Sequence, residues 1–512
     1  MRTRLSLLFT TACLACGSPP HYRTIIRNAT IYATGESYDP HVGTLAIAGD
    51  SIVLSVSAEA TADTVIDATG LILAPGFIDA HSHHDRGIED DRTVLAALSQ
   101  GITTIVVGQD GFSHFPLTEY FKRLEAKPPA INVASFSGHN TLRDSVMGRE
   151  FRRQATSDEI GRMKVLLKAD MKAGALGLST GLEYDPGIYS AEEEVIELAK
   201  LAADFDGKYI SHIRSEDRNF WKAVNELLAI GREAEMPVQV THTKLAMKAL
   251  WGQADSLILV LDSARARGIE VSADVYPYTY WQSSIRVFFP ERNFTDRKEA
   301  EFILAHISPP EGIRISNFGR DESLKGKTIA QVSAERKQPH AVTLVNLATE
   351  AERRYITEPD FSESVVAVSM NEPDIARIMK WEHTGICSDG SSYGLHPRGY
   401  GAFTRMLRKY VMEDSVLSLK DAIYKMTSHN SRLFQRWNDP GGRGRILPGY
   451  KADLVLFDPK TVGDRSSPGD PHAVSSGIFA VWVNGQLAYR NGKPTGRFAG
   501  SVIRRPPASA DK

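Results

Sequence analysis

Two histidines, His81 and His83, close an apolar run, Gly76-Phe-Ile-Asp-Ala-His-Ser-His83. In an extended chain alternate side chains leave the same face, so both imidazoles can reach one metal ion. A lone His-x-His pair is common by chance. Here other polar groups stand at or just past further short apolar runs. They are His212 in Tyr209-Ile-Ser-His-Ile-Arg214, His242 in Gln239-Val-Thr-His-Thr-Lys244, Asp389 in Cys387-Ser-Asp-Gly390, and Glu183 after Leu178-Ser-Thr-Gly181. Imidazole and carboxylate groups gathered at strand ends are the ingredients of a metal-dependent active site. Surface or core histidines scattered at random would not fall so regularly.

The runs that carry these groups form an alternating pattern. Eight candidate strands can be read: Leu71–Asp79, Ile102–Val107, Asn132–Ser137, Ala175–Ser179, Lys208–Ile213, Val238–Thr243, Glu270–Val275 and Gly385–Ser388. Amphipathic stretches such as Ala191–Phe205 and Asn219–Glu235 follow most of them. This predicts an α/β chain, a TIM-type (β/α)8 barrel over residues 71–439, with a doubly wound open sheet as the structural alternative. Residues 288–367 interrupt the alternation between strands seven and eight, and are too long for a loop; an inserted subdomain is expected there. Short β-like runs occupy residues 21–70 and recur in residues 440–512, which predicts one small β-sandwich built from both chain ends.

Composition narrows the function classes. The 512 residues carry 60 Lys+Arg against 62 Asp+Glu, so a net charge of −2 argues against nucleic acid as a partner. Three cysteines exclude a disulfide framework. Residues 1–20 read as a leader: Arg2 and Arg4 precede the apolar stretch Leu5–Ala15, which is too short to span a bilayer. Ala15-Cys16-Gly17-Ser18 looks like a bacterial lipoprotein cleavage site, although Cys13 stands where leucine is usual. The expectation is an exported protein, periplasmic or tethered to a membrane through an N-terminal lipid.

Six segments together resemble the N-acyl-D-amino-acid deacylases (D-aminoacylases) of the amidohydrolase superfamily. They are Ala74–His83, Ser137–Arg143, Gly174–Gly181, Ile210–Glu216, His396-Pro-Arg398 and Pro448–Leu454, in family order over nearly the whole chain. The resemblance implies zinc-dependent hydrolysis of the amide bond of a small-molecule N-acyl-D-amino acid, with one or two zinc ions. It implies that His81, His83 and Asp389 ligate one metal position and His212 and His242 the second. It also gives Asp389 the role of general base and acid. One departure concerns a metal-ligating cysteine that many relatives carry after the second strand. The segment here is Val107-Gly108-Gln109-Asp110-Gly111, so either Asp110 takes the thiolate's place or Glu183 bridges instead. Cys387 shares a strand face with Asp389, though a small buried thiol is more often plain core.

For the substrate carboxylate, Arg398 offers a planar fork and Lys244 a point charge, with Tyr276 and Ser283 at matching positions. His139 is a candidate for the acyl side or a buried hydrogen-bonded residue. Rival readings remain: another metal amidohydrolase (a D-dipeptidase or cyclic-amide hydrolase), a non-enzymatic binding lipoprotein, or a serine hydrolase. Gly177-Leu-Ser-Thr-Gly181 fits the serine-nucleophile elbow, but Glu183-Tyr-Asp-Pro186-Gly187 blocks the helix such an elbow needs.

Overall fold

Alternating apolar residues in the terminal segments decide how the two chain ends meet. The computed structural model describes residues 19–34, 39–358, 360–435 and 441–506; the leader, with Cys13 and Cys16, lies outside the described residues. Strands His21–Ile31, His41–Ala48, Ser51–Val53, Thr61–Asp67 and Ile72–Pro75 join Leu454–Phe457, Ile478–Val483, Gln486–Arg490 and Lys493–Pro494 in one nine-stranded sheet. Leu454, Leu456, Ala480 and Trp482 point into a core shared with Ile26, Ile31, Leu45 and Ile47. Their strand neighbours Val455, Phe457, Val481 and Val483 pack into the larger core that includes the barrel. Period-two alternation thus gives these C-terminal strands one face for each core.

Eight short parallel strands make the barrel. In spatial order they are Phe77–Asp79, Ile102–Val107, Asn132–Ser135 continued by Ser137–Gly138, Gly177–Gly181, Lys208–His212, Val238–Val240, Val271–Val275 and Thr384–Ile386. The last is joined to the first by Asp389 N–H donating to His81 O at 2.9 Å and His83 N–H to Gly390 O at 2.8 Å. Amphipathic helices Glu192–Ala203 and Phe220–Glu233 lie where the sequence placed them.

Most strand boundaries shift by one or two residues, the last strand being Thr384–Ile386 rather than Gly385–Ser388, and three shifts have a clear local reason. The run Leu71–Asp79 is not one strand: Ile72–Pro75 pairs with Leu454–Phe457 in the terminal sheet, and the barrel strand begins after Gly76. A Cβ on Gly76 would lie 2.3 Å from the Thr103 side chain, so only glycine lets the chain cross between the sheets here. Strand four starts at Gly177 rather than Ala175, because Gly174 ends the preceding helix at φ 105° and Ala175 N–H returns to Asp170 O. Strand six stops at Val240 instead of Thr243, because His242 turns into the left-handed region at φ 33°. The inserted unit also begins ahead of Phe288. Its antiparallel sheet uses Tyr280–Ser283, Ile313–Phe318 and Glu363–Val368, backed by helices Ile329–Arg336 and His340–Thr357.

The two parts are pinned together by Asp453. Its carboxylate, 2% exposed, pairs with Arg443, accepts from Asn132 Nδ2 of barrel strand three at 3.0 Å, and accepts from Asn484 N–H at 2.7 Å. Asp453→Ala strands a buried guanidinium, and should cost about 3–5 kcal/mol of unfolding free energy. Urea titration followed by fluorescence checks this; a loss under about 1 kcal/mol, the value of a surface pair, would show that the contact is dispensable.

Candidate metal centre

Three loops beyond the barrel strands are bent sharply enough to turn their side chains inward. Asp110, His242 and Asp389 all have positive φ (55°, 33° and 49°), a conformation that non-glycine residues rarely adopt. Such strain persists where surrounding contacts over-determine it. Gly108 and Gly111, at φ 72° and 78°, turn the chain on either side of Asp110. His242 N–H donates to the buried Asp274 carboxylate at 2.5 Å, and Cys387 Sγ–H donates to the same carboxylate at 3.1 Å. Asp79, also fully buried, accepts from Ser388 N–H at 2.8 Å and from Ser388 Oγ, which fixes the segment that presents Asp389.

The side chains so placed converge. Asp110 lies at the centre: its Oδ1 is 3.4 Å from His81 Nε2 and 3.1 Å from His242 Nε2, and its Oδ2 is 3.2 Å from His83 Nε2. Asp389 Oδ1 is 3.6 Å from His81 Nε2 and 3.3 Å from His83 Nε2. His212 Nδ1 is 3.0 Å from His242 Nε2, while His212 Nε2 faces Glu183 Oε2 at 2.8 Å. Among the described residues three groups could hold a metal ion: His81/His83/Asp110/Asp389 and Asp110/His212/His242, which share Asp110, and Glu183/His212/Glu216, which shares His212 with the second.

The electrostatics calls for a cation. Burial resists ionisation of Asp110 and Asp389, yet the facing histidines, joined by Arg398 at Asp389, hold both carboxyls well below the usual carboxylate range. Burial and Lys244 oppose protonation of His242, but Asp110, Asp389 and Glu216 outweigh them and lift it to about 10. Both ring nitrogens of fully buried His81 lack a hydrogen-bond partner. Orphaned imidazole nitrogens beside ionised carboxylates are donors awaiting a metal, and the nitrogen and oxygen set suits zinc.

Above the centre opens a cavity of about 690 Å³. His83, Asp110, Glu183, His212, His242, Lys244, Ser283, Asp389 and Arg398 all line it. Arg398 Nη1 is 2.6 Å from Asp389 Oδ2, and the Arg398 and Lys244 head groups lie 4.8 and 5.5 Å from the Tyr276 ring centre. The Tyr276 hydroxyl is buried without a partner.

Comparison with known proteins agrees with this arrangement. An amidohydrolase family model matches residues 64–304. D-aminoacylase of Alcaligenes xylosoxydans xylosoxydans is 32% identical over 90% of this chain and 93% of its own. The chain belongs to the D-aminoacylase family. N-acyl-D-glutamate deacylase of the same organism is 34% identical over 87% of this chain and 89% of its own. The crystal structure of N-acyl-D-glutamate deacylase from Bordetella bronchiseptica, complexed with zinc and a phosphonate mimic of the tetrahedral intermediate, superposes with a TM-score of 0.82. It is 30% identical and is covered completely by 94% of this chain.

The structure separates the alternatives that the sequence left open. Asp110 is the carboxylate shared by the two groups that hold the four histidines, whereas Glu183 reaches His212 in a separate group with Glu216. His139 does not reach the cavity; its Nε2 pairs with Glu194 Oε1 at 2.7 Å, and the same carboxylate holds Arg143 at 2.5 Å. Lys244 is already engaged, 2.7 Å from Glu216 Oε1 and 2.6 Å from His242 Nδ1. Cys387 bonds to Asp274 and lies outside the ligand groups. Ser179 lies within a strand and donates to Gly108 O at 2.5 Å, so the elbow motif here is structural. Glu216 and Tyr184 were missed. Glu216 stands four residues after His212, a spacing that was available in the sequence, whereas Tyr184 comes within 3.1 Å of His212 Nδ1 only through the loop's fold.

Asp110→Asn should lower zinc content per chain and cut kcat by two orders of magnitude or more, whereas Cys387→Ala should leave zinc content unchanged. Elemental analysis of the purified variants checks both; full zinc in Asp110→Asn would remove Asp110 from the ligand set.

Proposed function

We propose that this protein uses zinc to hydrolyse the amide bond of N-acyl-D-amino acids, releasing a carboxylate and the free D-amino acid. One observation carries the reading: His83, Asp110, His212, His242 and Asp389, gathered with the buried His81 in one cluster, line a cavity whose wall also bears Arg398. His81, His83, Asp110 and Asp389 would hold one ion, and Asp110, His212 and His242 a second. Zinc bound there supplies Lewis acidity, which acidifies water and polarises a carbonyl.

The protein's own groups do the rest. Arg398 and the histidines keep Asp389 ionised, so its carboxylate is free to accept a proton from water and hand it to the departing amine nitrogen. Tyr276, expected to meet the substrate carboxylate, lies behind the cavity wall, where burial raises its hydroxyl well above the usual range and its ring backs Arg398. Arg398 stacks beside that ring and adds the positive charge. Covered by the inserted unit, with Trp281 and Phe288 on the cavity wall, the site limits the water that would screen these charges.

Prolonged chelation should abolish hydrolysis of N-acetyl-D-amino acids and added zinc should restore it, with the L-enantiomers poor substrates; full turnover by metal-free protein would refute the mechanism. Asp389→Asn should keep the fold and lose kcat by several orders of magnitude. A loss of only about tenfold, about 1.4 kcal/mol of barrier, would reassign the base. Arg398→Ala should raise KM strongly for substrates with a free α-carboxylate and little for the corresponding amides.

We further propose export, with lipidation at Cys16, on the strength of the Arg2/Arg4, Leu5–Ala15 and Cys16-Gly17 pattern. Labelled palmitate should enter the full-length protein in a bacterial host and be absent from Cys16→Ser; equal labelling of both would exclude it.

A further inference from the structure

His212 ends the fifth barrel strand with its two ring nitrogens facing different partners. Nδ1 looks toward the centre, 3.0 Å from His242 Nε2, which in turn is 3.1 Å from Asp110 Oδ1. Nε2 looks the other way, onto Glu183 Oε2 at 2.8 Å. A neutral imidazole that ligates through one nitrogen carries its proton on the other, and the partner of that proton sets both tautomer and ring orientation. Glu183 itself comes from the loop after strand four, where it is held from the inserted unit. Arg292 Nη2 donates to the Glu183 carbonyl at 2.7 Å, and Arg292 Nε to Asp185 Oδ1 at 2.9 Å.

We infer that Glu183 is a positioning residue: it accepts the His212 Nε2 proton, so that Nδ1 is offered to the second metal position, and Arg292 holds it in place. The inference rests on the reading that a metal occupies the His212/His242/Asp110 group. It gives Glu183 a different task from a ligand, because its carboxylate meets the edge of His212 that faces away from Asp110 and His242. It also couples the inserted unit to the metal pair, since Arg292 lies between the strands Tyr280–Ser283 and Ile313–Phe318 of that unit.

The test is a zinc titration of metal-free protein by calorimetry, with the cobalt-substituted absorption spectrum as a second readout. Glu183→Ala should weaken one of the two binding events by about 10- to 100-fold, change the cobalt bands, and still reach the wild-type stoichiometry at saturation. Glu183→Gln, whose amide oxygen still accepts the proton, should recover most of the affinity, and Arg292→Ala should show a smaller loss than Glu183→Ala. With the unfolding midpoint unchanged, kcat should fall with little change in KM. Unaltered zinc affinity and cobalt bands in Glu183→Ala would overturn the inference. So would permanent loss of one ion per chain in both Glu183 variants, which would make Glu183 a ligand. A wild-type protein that takes up no zinc would instead fail the metal reading itself.

Discussion

Six ionisable side chains, packed in a chain of close contacts at the base of one cavity, form the constraint around which the molecule is organised. Carboxylates in such a place are tolerable only beside positive charge, and imidazoles only where their nitrogens find partners. Asp110 touches three of the four histidines, so its position decides whether the remainder can share a charge. The backbone answers this demand directly. Asp110, His242 and Asp389 accept left-handed conformations, and buried carboxylates on neighbouring strands, Asp79 and Asp274, hold the bent segments by their N–H groups.

Position 110 combines a demanding backbone conformation with a central place in the cluster. Aspartate tolerates the left-handed region better than most residues, because its short side chain satisfies nearby groups. The candidate ligand atoms of this cluster are all nitrogen and oxygen, a set whose preference among divalent ions differs from that of a thiolate site.

The sequence made the ligand set legible because barrel chemistry is written at strand ends, where a histidine next to an apolar run stands out. His81, His83, His212, His242 and Asp389 were found that way, and all line up on one centre. What escaped depended on loops. The roles of Glu183 and Asp110 turned on which way two bends faced, and that is fixed by Arg292 in one case and by Gly108 and Gly111 in the other. His139 was ambiguous because a buried hydrogen bond with Glu194 leaves no periodic trace. The fold followed a similar rule: strand existence came from hydrophobic runs, while strand limits were moved by Gly76, by the Gly174 cap and by the Asp274–His242 bond.

The chain end has an influence on the order in which the protein can form. Ser501 O accepts from Val133 N–H at 3.0 Å, Ile503 N–H returns to Val133 O at 2.8 Å, and Arg505 N–H reaches Gly174 O at 3.0 Å. The strand Ile72–Pro75, which feeds the first histidine pair, has His21–Ile31 on one side and takes Leu454–Phe457 as its partner on the other. Pairings this distant along the chain are slow, since loop closure precedes any reward. Synthesis from the N-terminus therefore completes the segment that carries Asp389 before Leu454–Phe457 and the Ser501–Arg505 stretch can pair with the earlier chain.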